Sequence, residues 1–200
     1  MAFTYFFRDY QTLEMIVHNV IPGTIGSQHI RVWDAGCAMG PEPYSIAIMF
    51  AENMGKFAFK NLRIHATDID GSNLFGQIIS RGVYPDEQVK RIPKEIFNKY
   101  FTPDKKEGSY VIDYRLRKCV EYTRHNLLSL KPVSTDYNLV VCKNVLLHFK
   151  QHQRVDVMKM YHRVLIPGGF LAMEQTQKLP NELKSFFRQV NPKTQLYQKI

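Results

Sequence analysis

The sequence has little cysteine, and none of it is paired. Cys37, Cys119 and Cys142 lie far apart, with no CxxC step and no cysteine–histidine spacing that suits zinc. That excludes a disulfide scaffold and a structural metal and points to a reduced, cytoplasmic protein. No apolar run approaches the roughly 20 residues that cross a bilayer, and Met1 does not open a charged-then-apolar leader, so neither membrane insertion nor secretion is expected. Long runs of like charge are missing too, which argues against a dedicated nucleic-acid tail. There is no internal repeat and no low-complexity segment. What is present is 27 Lys and Arg against 18 Asp and Glu, a net charge of +9 that favours an acidic partner: protein, nucleic acid or anionic surface. The 200 residues, 44% apolar, make one domain, 1–200, large enough to bury its own core.

The chain is organised around Ile30 to Ala47, IRVWDAGCAMGPEPYSIA. Ile30, Val32 and Trp33 form a short apolar run that predicts a buried strand; the pattern breaks at Gly36 and Gly40 and resumes as a helix. Glycines let a backbone turn sharply and approach a ligand without a Cβ in the way, and the free N–H groups of the next helix face whatever lies there. Pro41 suits a first helical turn, and Glu42 puts a carboxylate beside it. That carboxylate argues against a phosphate in the same small loop. Gly36-x-x-x-Gly40 also misses the dinucleotide fingerprint, and the Lys-Ser/Thr of a P-loop is not there. A nucleotide-like ligand without phosphates remains, S-adenosylmethionine foremost; an ordinary βα turn with no ligand stays equally open.

Before this stretch, Leu13, Ile16, Val17 and Val20 stripe one face of a helix expected to pack on the sheet. Arg8 stands among Phe6, Phe7 and Tyr10, where a guanidinium either has an anionic partner or lays its stem on the rings at the surface. After the loop, a helix to Met54 stops at Gly55, and a second strand, Leu62 to Thr67, runs into Asp68 and Asp70. Ligands of open α/β sheets lie outside the carboxyl ends of the strands, and an acidic residue after the second strand commonly takes ribose hydroxyls. Asp68 fits that role, and Asp70 reads as the cap of the helix that follows.

Residues 81–101 are basic and aromatic, with prolines, and predict short helical pieces. Tyr110 to Tyr114 and Leu116 to Tyr122 alternate apolar and polar, predicting a small strand excursion whose open edge suits an added peptide strand or plain solvent. Tyr137 to Cys142 is a continuous apolar run, the pattern of a central parallel strand, and it empties into Lys143, Asn144 and His148, where a substrate lies. A lone histidine is more often structural than a base. Val155, Met158, Val164 and Leu165 stripe a further helix that ends at Pro167 and Gly168. GFLAMEQ predicts a strand, and NELKSFFRQV and TQLYQKI a closing helix and strand, giving a βαβα succession with an antiparallel strand last.

Taken in order, TYFFRD (Thr4 to Asp9), WDAGCAMGPEPYSIA, ATDID, RGVY, the YF…HNLL segment, VCKNVLLHF and LIPGGFLAMEQ resemble the CheR-type chemotaxis-receptor glutamate O-methyltransferases, which use S-adenosylmethionine. The resemblance covers nearly the whole chain. It implies an α/β, Rossmann-like class I methyltransferase fold: a seven-stranded, mostly parallel sheet with a small β-subdomain at about 109–122. It also implies that Thr4 and Arg8 approach the methionine end of the cofactor, Arg8 near its carboxylate and the transferred methyl. Gly36 would lie against the cofactor, Glu42 would contact its amino-acid portion and Asp68 would hold the ribose. Asn126 and Leu127 would frame the adenine, and Cys142 and Lys143 would line the site, with no metal. The implied partner is an acidic protein, a chemoreceptor cytoplasmic helix, methylated by a monomer that releases S-adenosylhomocysteine.

The pattern departs from the family's in places. The sequence opens almost at the TxFFR motif, which the family precedes with a helical, basic domain. The family's Arg-Asn-Val is Lys143-Asn144-Val145, its tyrosine near the methyl-transfer point is His148, and its Gly-Glu-Glu-Pro is Gly40-Pro41-Glu42-Pro43. Methylating a carboxylate needs no general base, since the oxygen is already ionised at neutral pH; the demand is positioning and desolvation. Arg8 and His148 are the candidate catalytic residues, Arg8 orienting the incoming carboxylate and His148 donating a hydrogen bond where the family has a phenol. Two other functions stay open: a methyltransferase with a different acceptor, and a non-catalytic module that binds S-adenosylmethionine or S-adenosylhomocysteine.

Overall fold

The structure, a computed structural model, describes residues 4–200. Helix α1 (Tyr10–Val20) buries Thr12, Leu13, Ile16, Val17 and Val20, the stripe its sequence predicts. There follow β1 (Ile30–Ala35), α2 (Pro41–Asn53), α3 (Lys56–Phe59), β2 (Leu62–Asp68) and α4 (Phe75–Arg81). An insertion comes next: β3 (Val83–Pro85), α5 (Asp86–Val89), α6 (Lys94–Tyr100), β4 (Phe101–Pro103) and β5 (Ser109–Ile112). Helix α7 (Tyr114–Cys119) leads back to β6 (Val120–Arg124), and β7 (Tyr137–Cys142), α8 (Gln151–Val164), β8 (Leu165–Met173), β9 (Phe187–Gln189) and β10 (Leu196–Lys199) complete the chain. Among the described residues no helix is long and apolar enough to cross a membrane.

Seven strands form the main sheet in the order β6-β2-β1-β7-β8-β10-β9. Strand β1 runs parallel to β2 and β7, β2 to β6, and β7 to β8, whereas β10 is antiparallel to both its neighbours. This is the mostly parallel, Rossmann-like sheet that the resemblance implies. The chain steps outward from β1 to β2 and β6, then returns to lay β7 against the other side of β1. The order reverses between β1 and β7, and a reversal of that kind opens a crevice outside the carboxyl ends of the two strands.

The two faces of the sheet are covered separately. Val32 joins the cluster built with α1 and α2, while its neighbour Trp33 joins the one built with α8, as the period of a strand requires. Trp33 is fully buried, stacked on Tyr137 and edge-on to Tyr161, and its indole N–H donates to Thr67 Oγ1 at 2.9 Å. Truncating such a side chain costs about 3–5 kcal/mol. Every residue of α2 from Tyr44 to Phe50 is buried, so that stretch is covered on all sides and its position is set by packing.

The small antiparallel sheet shares with the expected 109–122 only its central strand, β5, and draws its other two strands from earlier in the chain. Its three strands pair as β3-β5-β4, from residues 83–85, 101–103 and 109–112. The supposed second strand, Leu116 to Tyr122, divides: Tyr114–Cys119 is helix α7, started by Asp113, whose side chain accepts the Arg115 N–H, and residues 120–124 are the edge of the main sheet. NELKSFFRQV is a single 3₁₀ turn (Asn181–Leu183) followed by β9, not a helix. Phe187 is buried at the start of that strand, and pairing with β10 satisfies the backbone that a helix would otherwise have satisfied itself. Asp70 caps the start of α4 as expected, accepting from the N–H groups of Leu74 (3.3 Å) and Phe75 (2.9 Å).

Candidate functional site

The loop after β1 is held to the end of β2 by backbone. The N–H groups of Gly36 and Cys37 donate to Thr67 O at 2.7 and 3.0 Å, and Ala38 N–H donates to Asp68 Oδ2 at 3.0 Å. Asp68 Oδ1 takes the Asp70 N–H at 3.0 Å. Both glycines are demanded by conformation and by space. Gly36 has φ +116° and a Cβ there would sit 2.1 Å from Val145 Cγ2; Gly40 has φ +104° and a Cβ there would meet Tyr84 Oη at 2.5 Å. The room each glycine leaves is taken by a protein side chain, Val145 at Gly36 and Tyr84 at Gly40.

Pro41 and Glu42 open α2, and Glu42 points at Lys143, the first residue after β7. Lys143 Nζ lies 3.2 Å from Glu42 Oε2, 3.4 Å from Asp9 Oδ2 and 3.2 Å from Arg8 O, with a side chain only 1% exposed. Burial works against the ammonium, but Glu42 and Asp9 outweigh it and hold its pKa above the ordinary lysine value. Asp34, at the carboxyl end of β1, is fully buried, and neither of its oxygens has a donor. Burial first, and the charge of Glu42 second, push it well above the usual carboxylate range, so Asp34 keeps its proton and offers it to Glu42. Glu42 Oε1 also lacks a protein donor, which such a proton supplies. Burial likewise raises the Glu174 carboxyl, although its Oε2 accepts the Asn144 N–H at 3.1 Å.

The amino-terminal segment closes one side. Phe6 is buried, edge-on to Tyr84 and Phe101, and Phe7 N–H donates to Ser45 Oγ at 2.8 Å. Phe7 (φ 59°) and Asp9 (φ 56°) both adopt the left-handed conformation, so the half-buried Arg8 is held between two strained residues while Lys143 grips its carbonyl. Its guanidinium lies over the Tyr5 ring, 5.9 Å from the centroid. On the far side, His125 N–H donates to Asp68 O at 2.8 Å and brings the next residues, exposed Asn126 and buried Leu127, beside Asp68.

The model of the SAM-binding domain of the CheR methyltransferases matches residues 2–196. The chain belongs to the CheR methyltransferase family. Among curated relatives, it is 30% identical over 189 residues to chemotaxis protein methyltransferase 2 of Vibrio cholerae, covering 92% of this chain and 64% of that one. It is 31% identical over 195 residues to chemotaxis protein methyltransferase Cher2 of Pseudomonas putida (94% and 69%), and 31% over 186 residues to chemotaxis protein methyltransferase 1 of Pseudomonas aeruginosa (89% and 66%). The CheR-family chain thus spans about two thirds of the length of these relatives.

Of the expected site residues, the structure gathers Arg8, Gly36, Glu42, Asp68 and Lys143 around the carboxyl ends of β1, β2 and β7, with Asn126 and Leu127 on the β2 side. Thr4 is half-buried at the head of the Arg8 segment. Cys142 is different: its side chain is fully buried in the α8 cluster with Tyr161, where burial pushes the thiol far up, so only its backbone is left to serve the crevice. His148 is exposed at the end of a 3₁₀ turn, Leu146–His148, five residues beyond Lys143. Asp34 is the residue that sequence reading missed. Its signal was a carboxylate at the end of a mostly apolar strand, two residues before the first loop glycine.

Proposed function

We propose that this CheR-family chain binds S-adenosylmethionine in the crevice and transfers its methyl to glutamate carboxylates of an acidic protein, with a chemoreceptor cytoplasmic helix as the acceptor. One observation carries the reading: Glu42, paired to buried Lys143 on one oxygen, has on its other oxygen no donor but the proton of Asp34, which itself has no further partner. A buried acid and a carboxylate that share one proton and have no other donor on those oxygens fit an incoming ammonium, such as the α-amino group of the cofactor, which takes that proton's place. When bound, the cofactor supplies an electrophilic sulfonium methyl.

The chain's own residues do the rest. Asp34 and Glu42 hold the amino group, and Arg8 and Lys143 place positive charge for carboxylates of the cofactor and of the acceptor. Asp68 spends one acceptor position of each oxygen on backbone N–H groups, which leaves lone pairs for ribose hydroxyls. Asn126 and Leu127 flank the adenine. The acceptor carboxylate is ionised at neutral pH, so no residue removes a proton; positioning and exclusion of water are what the site contributes. His148, exposed and near the mouth, meets the acceptor with a hydrogen bond.

Calorimetric titration with S-adenosylhomocysteine, repeated on Asp68→Ala, tests the crevice: loss of most of the affinity in the variant supports it, and equal affinity overturns it. Labelled methyl transfer to receptor fragments tests the reaction. Alkali-labile label supports a carboxyl ester, alkali-stable label a different acceptor, and binding without transfer a regulatory module.

A further inference from the structure

The opposite end of the sheet carries a cavity of about 540 Å³, within the range of about 300–1,000 Å³ usual for small-molecule sites. It is remote from the crevice. Arg63, on its wall, and Asp68 are the second and last residues of β2, so roughly 17 Å of strand separates them. Its floor is apolar, built from Phe59, Tyr100, Leu116 and Cys119.

Its rim is basic: Lys56, Lys60, Arg63, Lys99, Arg115 and Lys118 all line it. Two of these are neutralised within the fold. Lys99 Nζ lies 2.6 Å from Glu52 Oε1, and Arg115 forks onto Asp113 through Nη2 (2.9 Å) and Nε (3.0 Å). The other four, Lys56, Lys60, Arg63 and Lys118, form no ion pair among the described residues. Arg63 is nonetheless fixed, its Nη1 donating to the carbonyls of Lys60 (2.9 Å) and Leu62 (2.7 Å). Two flat rings stand exposed beside the rim: Phe57, 86% exposed with the Lys60 ammonium 5.3 Å above it, and Tyr114, 65% exposed under Arg117.

Four like charges around an apolar floor repel one another unless a polyanion sits among them. A bare phosphate or pyrophosphate satisfies the rim and leaves the floor wet. A ligand that satisfies both has an apolar, planar body and several negative charges at one end. We propose that this cavity binds a nucleoside polyphosphate, its base against the aromatic floor and margin and its phosphates on Lys56, Lys60, Arg63 and Lys118. The site is separate from the crevice and stands whether or not the crevice holds S-adenosylmethionine.

The test is calorimetric titration with ATP and with pyrophosphate, at about 0.15 M salt to suppress loose attraction, with and without S-adenosylhomocysteine. It is run on the native chain and on Lys60→Glu/Lys118→Glu, two exposed positions whose exchange leaves the urea midpoint in place. The expected result is one ATP per chain, insensitive to S-adenosylhomocysteine, about tenfold or more weaker in the variant, with pyrophosphate weaker than ATP. Four results overturn it: no ATP binding; ATP binding that S-adenosylhomocysteine abolishes and the variant keeps, which places ATP in the crevice; pyrophosphate as tight as ATP, which leaves only an anion patch; or phosphatidylglycerol vesicles bound where ATP is not, which makes the face a membrane contact.

Discussion

Lys143 Nζ lies 3.2 Å from Glu42 Oε2, and the two residues come from opposite sides of the strand-order reversal, one at the head of α2 and one just past β7. The contact ties the loop after β1 to the strand beside it and fixes which oxygen of Glu42 is left for a ligand. It also offsets part of the negative charge. Asp34 stays neutral, so the buried centre holds one cation against Glu42 and the half-buried Asp9.

Removing the cation strands the anions. Lys143→Met is expected to lower the unfolding free energy by about 3–5 kcal/mol, the cost of breaking a buried pair from one side. Lys143→Met/Glu42→Gln, which removes both charges, is expected to lose clearly less. Urea titration of the three proteins measures this, and a loss below about 1 kcal/mol in the single variant would show the pair to be incidental.

Gly36→Ala meets two penalties, a left-handed backbone and the Val145 side chain. Together they predict a loss of about 2–4 kcal/mol. Val145→Ala in the same chain removes the clash and leaves the backbone term, so about half should return. If the double variant is no more stable than the single one, the contact with Val145 is not what excludes a side chain there.

Much of this was legible because it is local. The strand-loop-helix of residues 30–54, the capping by Asp70 and the apolar run of β7 each declare themselves within one contiguous stretch of sequence. What escaped was either too short or too distant. Strands β3 and β4 have three residues each, too few to show an alternating pattern, and they stand beside helical pieces that dominate residues 81–101. Helix α7 hid inside an apparent alternation, though Asp113 before it was an N-cap signal. The pairing of Lys143 with Glu42 and Asp9 joins segments far apart in the chain, and only the crossover that brings β7 beside β1 creates it. Asp34 was passed over because a strand pattern asks only which side chains are apolar.

His148 is exposed on its turn, so its replacement should leave the fold alone. A positioning role predicts that His148→Ala keeps the affinity for S-adenosylhomocysteine and loses about 10- to 100-fold in methyl transfer, with most of the effect in KM for the acceptor. His148→Asn, which can still donate, should recover part. A loss of about a thousandfold in kcat, roughly 4 kcal/mol, would instead make the imidazole part of the chemistry.

Asp34 gives a pH signature whose sign is fixed by its surroundings. A carboxyl raised above its ordinary value near 3.8 binds more protons folded than unfolded. Its contribution is therefore undiminished below that value and is lost progressively as pH rises toward the folded pKa, by up to about 1.4 kcal/mol per pH unit. Asp34→Asn has no proton to lose and keeps an N–H for Glu42. The variant should match the native chain in urea at about pH 4 and exceed it at about pH 7, the gap opening between them. Glu174, also raised by burial, remains in both proteins and drops out of the difference. The same proton marks the ligand. An ammonium entering between Asp34 and Glu42 favours the ionised pair, so S-adenosylhomocysteine should release a proton as it binds. Calorimetry in phosphate and in Tris, whose ionisation enthalpies differ, counts that proton. Release that persists undiminished in Asp34→Asn would place it on another group and remove Asp34 from the ammonium site.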